Sequence, residues 1–161
     1  RDLHPRVRRQ RQMCIRDRVQ PTPKELKAVR RKAPYRILHK DDTAHVVADN
    51  QTGITAYAAF EAYSPAKDEI FLSIPAETMV MQKQAGSKLL LSVCDPNLNI
   101  SEKTYTTKEP SRPIEKKLIL KGKWRSTAPN NKITVHSNQT ETVLIVTCQH
   151  GQPVEFTLSR E

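Results

Sequence analysis

The sequence predicts an all-β protein, an antiparallel sandwich or barrel preceded by one short helix. Roughly eleven short apolar or alternating segments follow one another between residues 35 and 158, at the spacing of about 8–12 residues that is typical of these architectures. Turn-forming Asp, Asn, Pro and Gly residues separate the segments. No long segment with helical periodicity follows residue 33, which disfavours α/β folds.

The first eighteen residues carry half of the net charge. Residues 1–18 contain seven Arg and two Asp, which contribute +5 to the formal charge of +10. As a genuine basic arm they would bind nucleic acid, with an affinity that falls steeply with salt and disappears when the arm is removed. However, codons that encode Arg1–His4 and Arg8–Asp17 spell the constant parts of a transposase-based sequencing adapter. We therefore predict an unstructured artefact, with the natural sequence cut near Val19 and continuing upstream in the intact protein.

Residues 19–33 are predicted to be a connector helix and linker. Thr22 to Glu25 form a capping box, and Pro23 occupies the first helical position. Lysines and arginines follow towards the C-terminal end, where they suit the helix dipole. Pro34 ends the pattern, so the helix is expected over residues 23–31. Because it contains few apolar residues, it should lie on the surface.

Turn signals bound each strand in the first half of the predicted β domain, which covers residues 34–161. Asp41 and Asp42 follow the first strand, and Gly53 supplies a position for positive φ after the second. The sixth segment, KLLLSVC, has the composition of a buried strand. The predicted strands cover residues 35–39, 44–48, 54–60, 69–74, 78–82 and 88–94.

The second half follows the same pattern. Residues 98–105 are expected to continue extended, Pro110 and Pro113 bracket a loop, and residues 126–131 form a polar loop. The final segments are apolar and rich in β-branched residues. The predicted strands here cover residues 114–120, 133–136, 142–147 and 154–158.

Motifs for catalysis, cofactors and metals are missing from the sequence. With four Gly, the chain contains no nucleophile elbow, P-loop or dinucleotide fingerprint. Cys94 and Cys148 end apolar strands, so we interpret them as unpaired core thiols in preference to a disulfide. Cys148 and His150 share one side of an extended chain, but no further ligand has suitable spacing. No catalytic residue, cofactor or metal is predicted.

The one tryptophan, Trp124, lies within a basic segment. Lys121, Lys123 and Arg125 surround it, and a Trp beside cations can stack on a sugar ring or pair with an acidic polysaccharide. The alternative, which we favour, is a half-buried Trp closing a strand, with lysines protecting an exposed sheet edge. The four residues are therefore weak candidates for carbohydrate contact. An aromatic content of 5% argues against recognition of nucleic acid.

Several of the predicted strands have amino-acid sequences that resemble those of a known family. The most similar segments are LLLSVCDPNLN and TCQHGQPVEF, and others are YRIL, TAHVV, ITAYAAF, ETMVM, PSRP and KGKW. They resemble the C-terminal domain of polysaccharide lyase family 8, the chondroitin and hyaluronate lyases, and within it the chondroitin sulfate ABC lyases. The resemblance covers about residues 21–159.

The resemblance implies a fold and a role. Members have an N-terminal α/α toroid, a central β-sandwich and a smaller C-terminal β-sandwich, and they cleave uronic-acid polysaccharides by β-elimination. Their catalytic Asn, His, Tyr and Arg lie in the toroid, with a supporting Glu in the central domain, and none of those motifs occurs here. The resemblance therefore implies a non-catalytic β-sandwich that packs on the central domain or supports substrate binding.

The partners and the location follow from the same resemblance. The parent enzyme would bind an acidic polysaccharide and be extracellular or periplasmic. Neither a nucleic-acid partner nor a membrane span is expected. A free-standing carbohydrate-binding or adhesion module is the alternative, and it would bind polysaccharide through Trp124 without an upstream catalytic domain.

Overall fold

A computed structural model describes residues 22–24, 27, 33–66, 69–100 and 111–161. The basic arm of residues 1–18 lies outside the described residues, as does most of the connector helix expected over residues 23–31. Tyr35–Glu161 forms one compact unit. In the part of the chain that is described, no helix is long and apolar enough to cross a membrane.

Eleven strands lie in the described ranges. They are β1 (Tyr35–Lys40), β2 (Ala44–Asp49), β3 (Ile54–Ala59), β4 (Phe71–Ser73), β5 (Thr78–Ala85), β6 (Lys88–Cys94), β7 (Ile114–Lys121), β8 (Trp124–Ser126), β9 (Ile133–Ser137), β10 (Glu141–Cys148) and β11 (Val154–Arg160). The expected extension over residues 98–105 is wrong for residues 98–100, where Asn99 has a left-handed φ of 51° that a strand does not accommodate. Residues 101–105 lie outside the described ranges.

The strands form two antiparallel sheets packed face to face. The larger sheet has the order β1-β2-β3-β5-β6-β11-β8, and the smaller has the order β4-β7-β10-β9. A single apolar core lies between them, so the fold is the predicted all-β sandwich. The last strand, β11, lies inside the larger sheet, where it pairs with both β6 and β8.

Alternation of buried and exposed residues along the strands builds the core. Every second residue from Thr142 to Cys148 is buried in β10, and the same period buries Leu89, Leu91 and Val93 in β6. Successive side chains of a strand point to opposite faces, so one face of each sheet supplies the core. Burial of this apolar surface is the main stabilising contribution, at about 25 cal/mol per Å².

A buried ion pair crosses the core and joins the two sheets. Lys116 of β7 lies in the smaller sheet, and Asp95 directly follows β6 of the larger one. Lys116 Nζ lies 3.0 Å from Asp95 Oδ2, and the two side chains are only 8% and 2% exposed. Lys116 Nζ also donates to the carbonyl of Ala76 at 3.1 Å, while Asp95 Oδ1 accepts from the amide of Asn97 at 2.8 Å. Both charged groups are thus satisfied inside the protein.

Candidate functional site

Trp124 begins β8 immediately after a tight turn at Gly122. Gly122 has a φ of +82°, a left-handed conformation that glycine adopts without steric cost. The turn brings the Trp124 indole back over the chain, where Nε1 donates to the carbonyl of Lys121 at 2.7 Å. The Trp124 amide donates to Thr142 Oγ1 at 2.9 Å. The indole is only 2% exposed, so Trp124 is a core residue with a satisfied polar atom.

Two of the three basic neighbours of Trp124, Lys123 and Arg125, lie beside one carboxylate. Lys123 Nζ lies 2.6 Å from Glu161 Oε2, and Arg125 Nε lies 4.0 Å from Glu161 Oε1. The hydrogen bond from Lys123 and the two positive charges hold the pKa of Glu161 below its usual range. Arg125 Nε also donates to Ser159 Oγ at 3.2 Å. The carboxylate of Glu161 thus offsets part of the positive charge that Lys123 and Arg125 place on this surface.

A cleft of about 520 Å³, here called the Trp124 groove, contains three of the four predicted contact residues. It is lined by Lys123, Trp124, Arg125, Ser126, Ala128, Pro129, Asn130, Ile133, Val135, Ser137 and Glu161. Lys121 instead lines a neighbouring cleft on the other side of the turn. The Trp124 groove can offer cationic and amide donors to a ligand. Contact of the four residues with carbohydrate stays a prediction.

The neighbouring cleft, here called the Glu69 cleft, was not identified from the sequence. Its polar lining includes Tyr57, Glu69, Gln82 and Arg160. Burial raises the pKa of the Tyr57 hydroxyl, and the hydrogen bond with Glu69 and the negative charge of Glu69 raise it further. Tyr57 therefore stays protonated and able to donate a hydrogen bond. The sequence of β5 held a signal that could have indicated this cleft. The first inward-facing residues of the strand are buried, and the inward-facing positions that follow are occupied by Gln82 and Gln84.

The two thiols of the β domain are poorly suited to act as nucleophiles or as metal ligands. Cys94 and Cys148 are free, and Cys94 Sγ donates to the carbonyl of Gly151 at 3.1 Å. Burial raises the pKa of both thiols, which lowers the thiolate fraction that a nucleophile or a metal ligand requires. Across the described ranges, no group of three or more His, Cys, Asp or Glu side chains could hold a metal ion.

Comparison with known families identifies the family that this domain matches. Residues 36–104 match the family described as polysaccharide lyase family 8, C-terminal beta-sandwich domain. Residues 36–104 therefore belong to a domain of this family. The match begins in β1 and includes β2 to β6, and all of these strands except β4 belong to the larger sheet. The family that the sequences of the strands suggested is therefore confirmed.

Curated relatives of this family 8 domain are chondroitin lyases. The chain is 26% identical over 125 residues to the chondroitin sulfate ABC endolyase of Proteus vulgaris, in an alignment that covers 78% of this chain and 12% of that protein. It is 39% identical over 77 residues to the chondroitin sulfate ABC exolyase of the same organism, covering 47% of this chain and 8% of that protein. The chain thus spans about a tenth of the length of these relatives.

Solved structures share the fold of the family 8 domain. The chondroitin AC lyase of Streptomyces coelicolor A3, in complex with chondroitin sulphate, matches with a TM-score of 0.60 and 14% identity over 88% of this chain and 17% of that chain. A Paenibacillus xanthan lyase matches with a TM-score of 0.62 and 16% identity over 88% of this chain and 12% of that chain. At these identities the similarity concerns the fold.

Proposed function

We propose that this chain is the C-terminal domain of a lyase that cleaves an acidic polysaccharide of the chondroitin sulfate type by β-elimination. The domain supports the structure of the enzyme, while the catalytic groups lie elsewhere in the longer protein. The enzyme acts outside the cell or in the periplasm. The proposal is supported by the family 8 match, by the names of the curated relatives, and by the small share of their length that the chain spans.

One observation carries the supporting role, namely an uncovered apolar surface on the larger sheet. Alternation along the strands turns this surface away from the core, and register aligns Ile37 with Val47, Val47 with Ala56 and Ala56 with Met81. Ile37 and Met81 are 58% and 55% exposed. We call this surface the outer apolar face, and its members are Ile37, Val47, Ile54, Ala56, Met79, Met81 and Leu90.

The shape of the outer apolar face suits a packed protein partner. Two concavities of about 460 and 420 Å³ share Met81, Ser92 and Glu155 in their lining, so incoming side chains can interdigitate with the sheet. Soluble monomers rarely leave a large contiguous apolar patch exposed. We assign the occupant as another domain of the same lyase, because most of the length of the relatives lies outside this chain.

Charging the outer apolar face tests its role. Replacing Met79 and Met81 together by lysine should greatly reduce binding of the dye ANS by the 161-residue chain, because both side chains are about half exposed and form part of the apolar patch. The free energy of unfolding should change by less than about 1 kcal/mol. Fluorescence titration and urea unfolding measure the two quantities.

A matched change on the other sheet controls this experiment. Leu72 of β4 is 38% exposed, and Leu72→Lys should leave dye binding unchanged. A wild-type chain that binds no dye and stays monomeric at high concentration would contradict the docking role, because it would show that the outer apolar face needs no partner.

A direct assay tests the assignment of catalysis to other domains. The 161-residue chain incubated with chondroitin sulfate should release no unsaturated uronate product, since the catalytic set implied by the family resemblance does not occur in its sequence. Ultraviolet absorbance of the unsaturated product measures turnover. The Proteus vulgaris chondroitin sulfate ABC endolyase serves as the positive control, and turnover by the chain itself would refute the supporting role.

Carbohydrate binding through the Trp124 groove is the second candidate function. The observation in its favour is the exposed pair Lys123 and Arg125, which line the same cleft. This function requires binding of chondroitin sulfate that weakens with salt and is lost when Lys123 and Arg125 are both replaced by alanine. Unchanged binding in that double variant would exclude the groove.

A further inference from the structure

The interior of the sandwich becomes polar at one end. In β3 and β5 the inward-facing pair Tyr57 and Val80 is buried, and the next inward-facing pair is Thr55 and Gln82. The Glu69 cleft, of about 330 Å³, lies at this end between residues of both sheets. Concave sites with a few converging polar groups are the usual form of small-molecule sites, and this volume is at the lower end of their range.

Two acceptor atoms in the lining of the cleft have no donor among the described residues. Glu69 Oε2 and Gln82 Oε1 are buried, and in the described part of the chain neither accepts a hydrogen bond. Buried polar atoms are nearly always paired in native proteins, so an unpaired acceptor calls for a specific explanation. The terminal torsions of Glu and Gln are soft, so a small rotation turns either oxygen towards the cleft. A ligand that donates two hydrogen bonds would satisfy both atoms.

Cationic groups line the same cleft and narrow the chemistry of the ligand. Arg160 and Lys121 both contribute to the lining, and the Arg160 guanidinium carbon lies 6.0 Å from the centre of the Trp124 ring. The Arg160 guanidinium in the same lining disfavours a metal cation, which would otherwise suit oxygen ligands. A guanidinium instead recognises a carboxylate or sulfate through paired N–H donors.

We propose that the Glu69 cleft binds one acidic sugar unit, whose hydroxyl groups donate to Glu69 and Gln82 and whose anionic group accepts from Arg160. The size of the cleft restricts the site to a single unit or a chain end. The ligand class agrees with the polysaccharide of the proposed function. The site is nevertheless separate from the outer apolar face, so either proposal can fail without the other.

A titration of the ¹⁵N-labelled 161-residue chain tests the site. D-glucuronate should cause saturable shifts of the side-chain amide signals of Gln82 and Gln84, and D-glucose should bind roughly tenfold more weakly because it lacks the carboxylate for Arg160. Glu69→Ala should weaken glucuronate binding by roughly tenfold or more. Arg160→Gln, at an exposed position, should reduce glucuronate binding to the level of glucose.

A control variant distinguishes the Glu69 cleft from the remaining surface of the domain. Glu155 lies on the outer surface of the larger sheet and is exposed, so Glu155→Gln should leave the titration unchanged. Dispersed amide spectra confirm that each variant is folded. The proposal is overturned if glucuronate causes no saturable shift, if the shifts centre on the Trp124 groove, or if CaCl₂ alone moves the Gln82 signals, which would indicate a cation site.

Discussion

Replacement of Trp124 by alanine is expected to destabilise the β domain by about 3–5 kcal/mol. The indole is 2% exposed and belongs to the core between the sheets, so its removal leaves a large cavity. The change also deprives the Lys121 carbonyl of the hydrogen bond from Nε1. Urea unfolding of the wild type and of the variant, followed by circular dichroism, measures the difference.

An exposed aromatic residue provides the control. Phe60 is 51% exposed and contacts His45 edge to face, so Phe60→Ala should cost less than about 1 kcal/mol. A loss of under about 1 kcal/mol for Trp124→Ala would mean that the indole does not pack as described. If the expected loss is found, weakened sugar binding by Trp124→Ala cannot be assigned to a lost contact, and Lys123 and Arg125 become the informative positions.

Replacement of Lys116 by methionine is expected to cost about 3–5 kcal/mol, because it leaves the buried carboxylate of Asp95 without its cation. Lys116 and Asp95 are separated by 3.0 Å and are almost fully shielded from water. Methionine has a similar length and is apolar, so the effect reports mainly the uncompensated charge. Chemical denaturation at neutral pH measures the loss.

The adjacent lysine and a double variant make this prediction specific. Lys117 is exposed on the same strand, and Lys117→Met should change stability by less than about 0.5 kcal/mol. Adding Asp95→Asn to Lys116→Met removes the stranded charge and should recover much of the loss. Equal stabilities for Lys116→Met and Lys117→Met would refute the account of the buried pair.

Most of the fold could be predicted from the sequence because the alternation is local. KLLLSVC predicted Lys88–Cys94 with the bounds that the structure has, and residues 142–147 predicted β10 to within one residue at each end. The prediction of β4 over residues 69–74 was too long, since only Phe71–Ser73 forms the strand. β8 was not recognised as a separate strand, because three residues carry too little periodic signal to identify.

The candidate sites were harder to predict from the sequence, because they depend on the register between distant strands. Alternation in IEKKLIL places Lys116 on the same face as Leu118 and Leu120, which hints at burial. Its partner Asp95 could not be inferred, since no local pattern relates a residue after β6 to one in β7. The Glu69 cleft likewise combines inward-facing polar residues of separate strands with Glu69, which lies before β4. The sequence left two interpretations of Trp124 open, a carbohydrate contact or a half-buried residue that closes a strand. The burial of Trp124 depends on the turn at Gly122.

The position of β11 has a consequence for how the domain is made in the cell. During synthesis, β6 and β8 leave the ribosome before the strand that must lie between them, so each presents an unpaired edge to other chains. The larger sheet closes only when Val154–Arg160 has emerged. Such pairing between distant segments slows folding. The nascent domain is therefore most vulnerable to aggregation just before its last strand arrives.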